Sequence, residues 1–324
     1  MENIPGLINF TNDKIKINPA KEIENLDNLP TPSYNSFFNK NGERFPPNFR
    51  WEVINLTSSR GCKYKCKFCS TPSFRSKISY RSEELVVEDI EKVTKLYNPG
   101  IIFFSDETFG MNRRYTENLC KLIRHKKLKT EWACFTRIDC LDEEIIKEFK
   151  SANCAGVFLG IESGSENIRK FIDKPAISSR CKEIIAICKK YNITVGAHFI
   201  LGIPQETKED IEKTIEFSHY IEADAVYYKW YVPIPGSFIY EELLKNKIIS
   251  EDIWIKYMKG ENNFPVVCPP GITEKEAEII EINAFKKFYF NIKRLPRLFS
   301  KFGFLYIISL LWLILKKGLT TRKK

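Results

Sequence analysis

The chain has 324 residues, 43% hydrophobic and 13% aromatic, with a formal net charge of +10. That length allows one large α/β domain with appendages, or two modest domains, and the apolar share is ample for a sizeable core. Ten cysteines without an even, secreted-type framework, and no N-terminal signal peptide in the pattern, argue for a reducing cytosolic compartment as the expectation. The charge is unevenly placed: Ile282–Lys324 holds eleven Lys and Arg and no acid. Subtracting these from the 51 basic residues leaves 40 against 41 acids, so the body is near neutral and implies no nucleic-acid partner.

Residues 1–50 are rich in Asn, Pro and Lys, and Pro30, Pro32, Pro46 and Pro47 forbid a long helix there. An extended, linker-like segment is expected. From Trp51 the pattern alternates between strand and helix. Strands are predicted at Val53–Thr57, Ile101–Phe104, Trp132–Phe135, Val157–Leu159, Thr194–Leu201 and Ala225–Tyr231. Helices are predicted at Ser82–Tyr97, Arg113–Arg124, Asp142–Ser151, Glu166–Ile172, Ser179–Tyr191 and Lys208–Ile221. In the first of these, Val86, Ile90, Val93 and Tyr97 recur at helical spacing and Asn98-Pro99-Gly100 supplies the stop. Repeated βα units imply a parallel sheet with right-handed crossovers. The expected fold is α/β: an open, partial (β/α)6 TIM-like barrel over residues 51–240. A C-terminal helical extension follows at 241–295, then a basic apolar tail at 296–324. Function then belongs at the C-terminal edge of the sheet.

The stretch Cys62-Lys63-Tyr64-Lys65-Cys66-Lys67-Phe68-Cys69 is a CxxxCxxC triplet introduced by Arg60-Gly61. Thiolates hold iron–sulfur clusters, and a [4Fe–4S] cubane offers four irons to be ligated. Three cysteines on one tight loop can hold three irons and leave the fourth open, which suits a catalytic cluster better than an electron carrier. A structural zinc site needs four ligands, commonly as paired CxxC or Cys/His hooks. No second hook follows at that spacing, and none of the three histidines lies near. Cys120, Cys134, Cys140, Cys154, Cys181, Cys188 and Cys268 show no CxxC grouping and read as small core hydrophobes. His198, in the fifth strand, either faces the barrel and handles a substrate proton or packs as a core histidine.

With aromatic Phe68 before its last cysteine, the triplet resembles the signature of radical S-adenosylmethionine (radical SAM) enzymes. The resemblance implies that Cys62, Cys66 and Cys69 ligate the cluster, and that the open iron is chelated by the methionine moiety of SAM. Cleavage of the sulfonium would then give a 5′-deoxyadenosyl radical that abstracts hydrogen from substrate. Four further segments, each at a predicted strand end, resemble the family in order. After strand two, Ser105-Asp106-Glu107 matches the polar segment in which Asp106 or Glu107 would accept from the methionine amino group. After strand four, Gly160-Ile161-Glu162-Ser163-Gly164-Ser165 is similar to a GIESGS segment; there Glu162 would meet the ribose hydroxyls, with Ser163 beside it. After strand five, Gly202-Ile203-Pro204-Gln205-Glu206-Thr207 resembles a GxPxET segment that contributes backbone contacts to adenine, with Gln205 where glycine is common. Pro233-Ile234-Pro235-Gly236-Ser237 resembles the PxPGT turn that closes the site. At the end of strand three, Arg137 suits the methionine carboxylate, or makes a salt bridge to Asp139. The N-terminal segment also resembles the connector to a cobalamin-binding domain in one large subfamily. Neither that domain nor its DxHxxG motif is found in this sequence, so cobalamin is left open.

The expected function is radical chemistry on an apolar small-molecule substrate: methylation, cyclisation or C–C bond formation. The cofactors are a [4Fe–4S] cluster and SAM, and the reductant a flavodoxin or ferredoxin. The alternative is a cluster-bearing binding or electron-transfer subunit acting with a separate cobalamin-binding protein. No residue is assigned to the substrate chemistry. The tail run Phe302–Leu315 is broken only by Gly303 and Ser309. As a helix it would be roughly 21 Å long, short of the ~30 Å of a hydrocarbon core. It reads as an interfacial helix whose flanking Lys and Arg favour anionic headgroups, peripheral on the inner membrane face, or as a helix packed on the barrel.

Overall fold

The structure, a computed structural model, describes residues 4–11, 14–33, 53–174, 178–261, 264–292, 294–303, 307–309 and 311–315. Near the start, β1 (Ile8–Thr11) and β2 (Lys14–Ile17) form an antiparallel hairpin. The main sheet then gathers six strands in chain order: β3 (Val53–Leu56), β6 (Ile101–Phe104), β7 (Trp132–Thr136), β8 (Cys154–Glu162), β9 (Thr194–Leu201) and β10 (Ala225–Trp230). All five pairings are parallel, and β3 and β10 stand at opposite edges, so the sheet curls open rather than closing. This is the expected α/β class and partial-barrel layout. The strand predicted at Val157–Leu159 is longer, at nine residues, because Gly156 and Gly160 belong to it. Read from sequence, those glycines look like ends; in the sheet they sit where neighbours crowd the backbone.

Helices cover one face of the sheet. Helix α1 (Thr71–Phe74) is a single turn in the cysteine loop. Then α2 (Glu83–Tyr97), α3 (Arg113–His125), α4 (Glu143–Ser151), α5 (Glu166–Phe171), α6 (Ser178–Lys190) and α7 (Lys208–Tyr220) alternate with the strands. Their starts are fixed locally. Asn112 accepts from the Tyr115 amide, Asp142 from the Ile145 amide, and Thr207 and Asp210 form a reciprocal capping box. Their apolar stripes bury Ile54, Ile102, Phe104, Cys134, Leu159, Phe199 and Tyr228 from the outer sheet face. The inner face is more open, with Val53 47% and Phe135 40% exposed. That difference is what creates a cavity.

Two short strands, β4 (Ser59–Arg60) and β5 (Ser79–Tyr80), pair antiparallel and clasp the cysteine loop between them. Gly61 follows the clasp at φ 94°, and a Cβ there would lie 2.4 Å from the Lys77 carbonyl, so only glycine fits. After the sheet come α8 (Phe238–Lys245), α9 (Ile253–Met258), α10 (Glu274–Tyr289) and α11 (Leu295–Phe302). The Tyr289 hydroxyl accepts from the Val226 amide at 3.1 Å and donates to its carbonyl at 2.9 Å, which satisfies part of the β10 edge. The tail then crosses the N-terminal edge of the sheet. Arg294 donates to the carbonyls of His219 and Ala223, just before β10, and Lys301 to Asn192, just before β9. Leu298, Ile307 and Ile314 are buried in the main core, so one face of the tail packs on the barrel. Among the described residues no helix is long and apolar enough to cross a membrane.

Candidate active site

Cys62, Cys66 and Cys69 are free thiols, and all three line a cavity of about 280 Å³ at the C-terminal edge of the sheet. Their loop is pinned around Cys66–Cys69. The Cys69 amide turns back onto the Cys66 carbonyl, Lys67 donates to Ile172, and Ile239 donates to Lys67. Each sulfur has a polar neighbour: Cys62 Sγ lies 3.5 Å from Thr108 Oγ1, Cys69 Sγ 3.4 Å from the Thr71 amide, and Cys66 Sγ 3.4 Å from an Arg137 nitrogen. Burial pushes the Cys66 thiol up, while Lys174 and Arg137 pull it down toward the thiolate a metal requires. Among the described residues no three His, Cys, Asp or Glu side chains converge closely enough for a single metal ion. A cubane instead takes thiolates at separate corners, and this donor set suits it.

Arg137, at the end of β7, is committed within the loop's support. It makes paired bonds to Asp139 at 2.9 Å, and its guanidinium lies 3.7 Å over the Tyr64 ring. With its contact to Cys66, this arginine steadies the cysteine loop, and it also lines the cavity. The structure likewise divides the acidic pair after β6. Asp106 is buried and accepts from the Ser58 amide and from the Ser58 and Ser59 hydroxyls at 2.6–2.8 Å. Burial pushes its pKa up to about 6, against those bonds. Glu107 is the member that lines the cavity, with one oxygen accepting from the Gly61 amide at 3.1 Å.

Glu162 closes β8 at a register shift, with φ 69°, a left-handed backbone that costs a non-glycine residue about 1 kcal/mol or more. The kink aims its carboxylate into the cavity, where Lys174 Nζ donates to it at 2.6 Å. Both are almost fully buried. A Cβ on Gly160 would sit 2.5 Å from that carboxylate and 2.7 Å from Nζ, so the glycine makes room for the pair. Sequence reading missed Lys174, one of 51 basic residues in no motif position it recognised. The available signal was physical: a buried Glu162 demands a cation.

Phe68 and His198 both line the cavity. Burial lowers the pKa of His198, which keeps the imidazole neutral near pH 7, and among the described residues its Nε2 has no hydrogen-bond partner. Ser163 and Gly202 are not among the residues that line the cavity. Ser163 Oγ pairs with Thr214 at 3.0 Å, while the Gly202 and Ile203 amides donate to Glu206 at 2.5 and 3.0 Å. Five of the remaining cysteines (Cys120, Cys134, Cys154, Cys181 and Cys188) are core residues.

A clasped loop of three free thiols faces a carboxylate–lysine pair at the C-terminal mouth of an open parallel barrel. The pattern of the radical SAM superfamily matches residues 56–218. The chain belongs to that superfamily, whose enzymes use a [4Fe–4S] cluster and SAM. It is 28% identical over 312 residues to an uncharacterised methyltransferase of Pyrococcus horikoshii, covering 94% of this chain and 66% of that one. It is 26% identical over 291 residues to the anaerobic magnesium-protoporphyrin IX monomethyl ester cyclase of Cereibacter sphaeroides, covering 88% and 46%. The chain thus spans about half to two-thirds of the length of these relatives. In fold it is similar to the radical SAM methyltransferase TsrM of Kitasatospora setae, solved with cobalamin and a [4Fe–4S] cluster. That match has a TM-score of 0.65 at 16% identity and covers 88% of this chain and 58% of that one.

Proposed function

We propose that Cys62, Cys66 and Cys69 hold three irons of a [4Fe–4S] cluster, that the cavity beside them receives SAM, and that the enzyme begins radical chemistry on a small apolar substrate. When bound, such a cluster supplies the electron that cleaves SAM reductively. The observation that carries this reading is the juxtaposition of three free thiols with the buried Glu162–Lys174 pair across one cavity. Glu162 has acceptor oxygens for ribose hydroxyls, Lys174 an ammonium for the methionine carboxylate, and Glu107 an acceptor for the methionine amino group. Arg137 keeps the cysteine loop in place, and Phe68 lines the cavity beside it. Methyl transfer or ring closure is the reaction class, as in the relatives named above, and a flavodoxin or ferredoxin is the reductant. Anaerobic reconstitution should give about four irons per chain with the broad charge-transfer absorption of a cubane. With a strong reductant the protein should then turn SAM into 5′-deoxyadenosine and methionine. Stoichiometric zinc without that absorption refutes it.

A second reading adds cobalamin, because TsrM is solved with it and part of that chain lies outside the match. Titration with hydroxocobalamin, followed by its visible spectrum, separates binding from no binding.

A further inference from the structure

The open inner face of the barrel carries a row of rings that the reading above does not use. Phe103, Phe135, Phe158, His198 and Tyr227 come from β6, β7, β8, β9 and β10, one from each. Successive ring centroids lie 5.0, 5.7, 6.0 and 4.5 Å apart across the sheet. His198 and Tyr227 stack at 15°, and Phe135 and Phe158 present edges to their neighbours. Strand register sets His198 beside Tyr227 and Gly160, and Phe158 beside Phe135 and Gly196. A Cβ on Gly196 would lie 2.6 Å from the Phe158 ring, so that glycine lets the ring lie flat across β9.

Rings on the outer face are sealed by helices, yet Phe135 stays 40% exposed and Phe103, Phe158 and Tyr227 partly so. Phe135, Phe158 and His198 line the same cavity as the three cysteines. Leaving an apolar floor wet is unfavourable by about 25 cal/mol per Å². Among the described residues His198 Nε2, in this row, finds no hydrogen-bond partner and is shielded from solvent. An unsatisfied buried nitrogen is costly too. One occupant removes both costs.

We propose that this floor binds the substrate of the radical reaction, and that the substrate lays a flat, unsaturated ring system there with a hydrogen-bonding group at its edge received by His198 Nε2. The proposal rests on the cavity being the radical site. Aromatic faces and edges favour a second ring by about 0.5–1.5 kcal/mol beyond buried area, a preference a saturated skeleton of equal size does not share.

The test uses 2-naphthol, a flat ring system with one edge hydroxyl, titrated by fluorescence into cluster-loaded protein with SAM present. Decahydro-2-naphthol is the saturated competitor, and naphthalene lacks the hydroxyl. Expected results are binding of 2-naphthol without displacement by SAM, and competition by decahydro-2-naphthol weaker by up to roughly tenfold. His198→Phe should erase the advantage of 2-naphthol over naphthalene, His198→Gln should restore part of it, and Phe158→Leu should weaken both ligands. Iron content, measured on each variant, should stay at the wild-type value. Equal competition by the saturated alcohol, displacement by SAM, or an undiminished hydroxyl advantage in His198→Phe overturns the proposal. Failure of the radical reading would look different: no 5′-deoxyadenosine from any variant, with naphthol discrimination intact.

Discussion

Glu162 and Lys174 form a buried ion pair that ends a strand in an unfavourable backbone conformation, and burial alone gives neither charge a reason to be there. A ligand with hydroxyls and a carboxylate gives both a reason. Glu162→Gln and Lys174→Met should each weaken SAM binding by roughly ten- to a hundredfold, the size of one charge-assisted hydrogen bond. Isothermal titration on iron-loaded protein checks this, and iron content should be unchanged because neither residue is a sulfur ligand. Loss of iron in either variant would make the pair structural. Glu206 gives a prediction of another kind. Burial lifts its pKa to about 8 from the ordinary 4.5, despite two backbone donors. The folded chain therefore binds more protons than the unfolded chain between those values, so stability falls as pH rises from 4.5 toward 8. Below pH 6.5, His198 and His219, held neutral by burial, act in the opposite direction. The window to measure is pH 6.5 to 8, where Glu206→Gln should flatten the slope of the urea midpoint.

The elements that matter most to the site are the smallest ones. Strands β4 and β5 contribute four residues, yet they fix where the cysteine loop leaves the sheet. Asp106 holds that exit by gripping Ser58 and Ser59 from the end of β6. Asp106→Ala should remove three hydrogen bonds, about 3 kcal/mol, chiefly from the loop. The expected outcome is a folded barrel by circular dichroism that retains less iron after gel filtration. Unchanged iron would show that the loop positions itself. The main strands were legible in the sequence because largely apolar runs of three to eight residues alternated with helical stripes and stop signals. The cysteine loop was legible because its spacing is unusual. The clasp was not, since two-residue strands carry no periodicity, and nor was the hairpin of β1 and β2 in a segment read only as extended. Asp106 and Glu107 were inseparable for a related reason: period-two alternation says that neighbours face opposite sides, but not which side is the cavity. Lys174 lies on the turn after α5, where only the folded chain brings it to Glu162.

At the scale of the whole molecule, the tail and the cavity lie at opposite ends of the strands. The contacts of Arg294 and Lys301 fall before β9 and β10, whereas the cysteine loop follows β3 and the Glu162 carboxylate ends β8. The tail packs on the core through Leu298, Ile307 and Ile314. Ile308, Leu313 and Leu315 remain 45–55% exposed, next to the basic Lys316-Lys317 and Arg322-Lys323-Lys324. Apolar insertion plus about 1 kcal/mol per well-placed basic residue would favour an anionic lipid surface, and that is the expectation to test. The intact chain should sediment with anionic liposomes, and less so as salt rises, because screening shortens the reach of charge. Leu313→Glu with Leu315→Glu should abolish sedimentation and leave the cluster in place. Ending the chain at residue 293 is a worse test, since it strips Leu298, Ile307 and Ile314 from the core and should lower thermal stability. A membrane bound at that end leaves the mouth of the cavity facing water. Lipid should therefore leave the rate of 5′-deoxyadenosine formation unchanged, with substrate arriving from solution or from a carrier rather than along the tail. Sedimentation that survives the double substitution, or a rate that rises with lipid, would mean that the bilayer meets the barrel elsewhere.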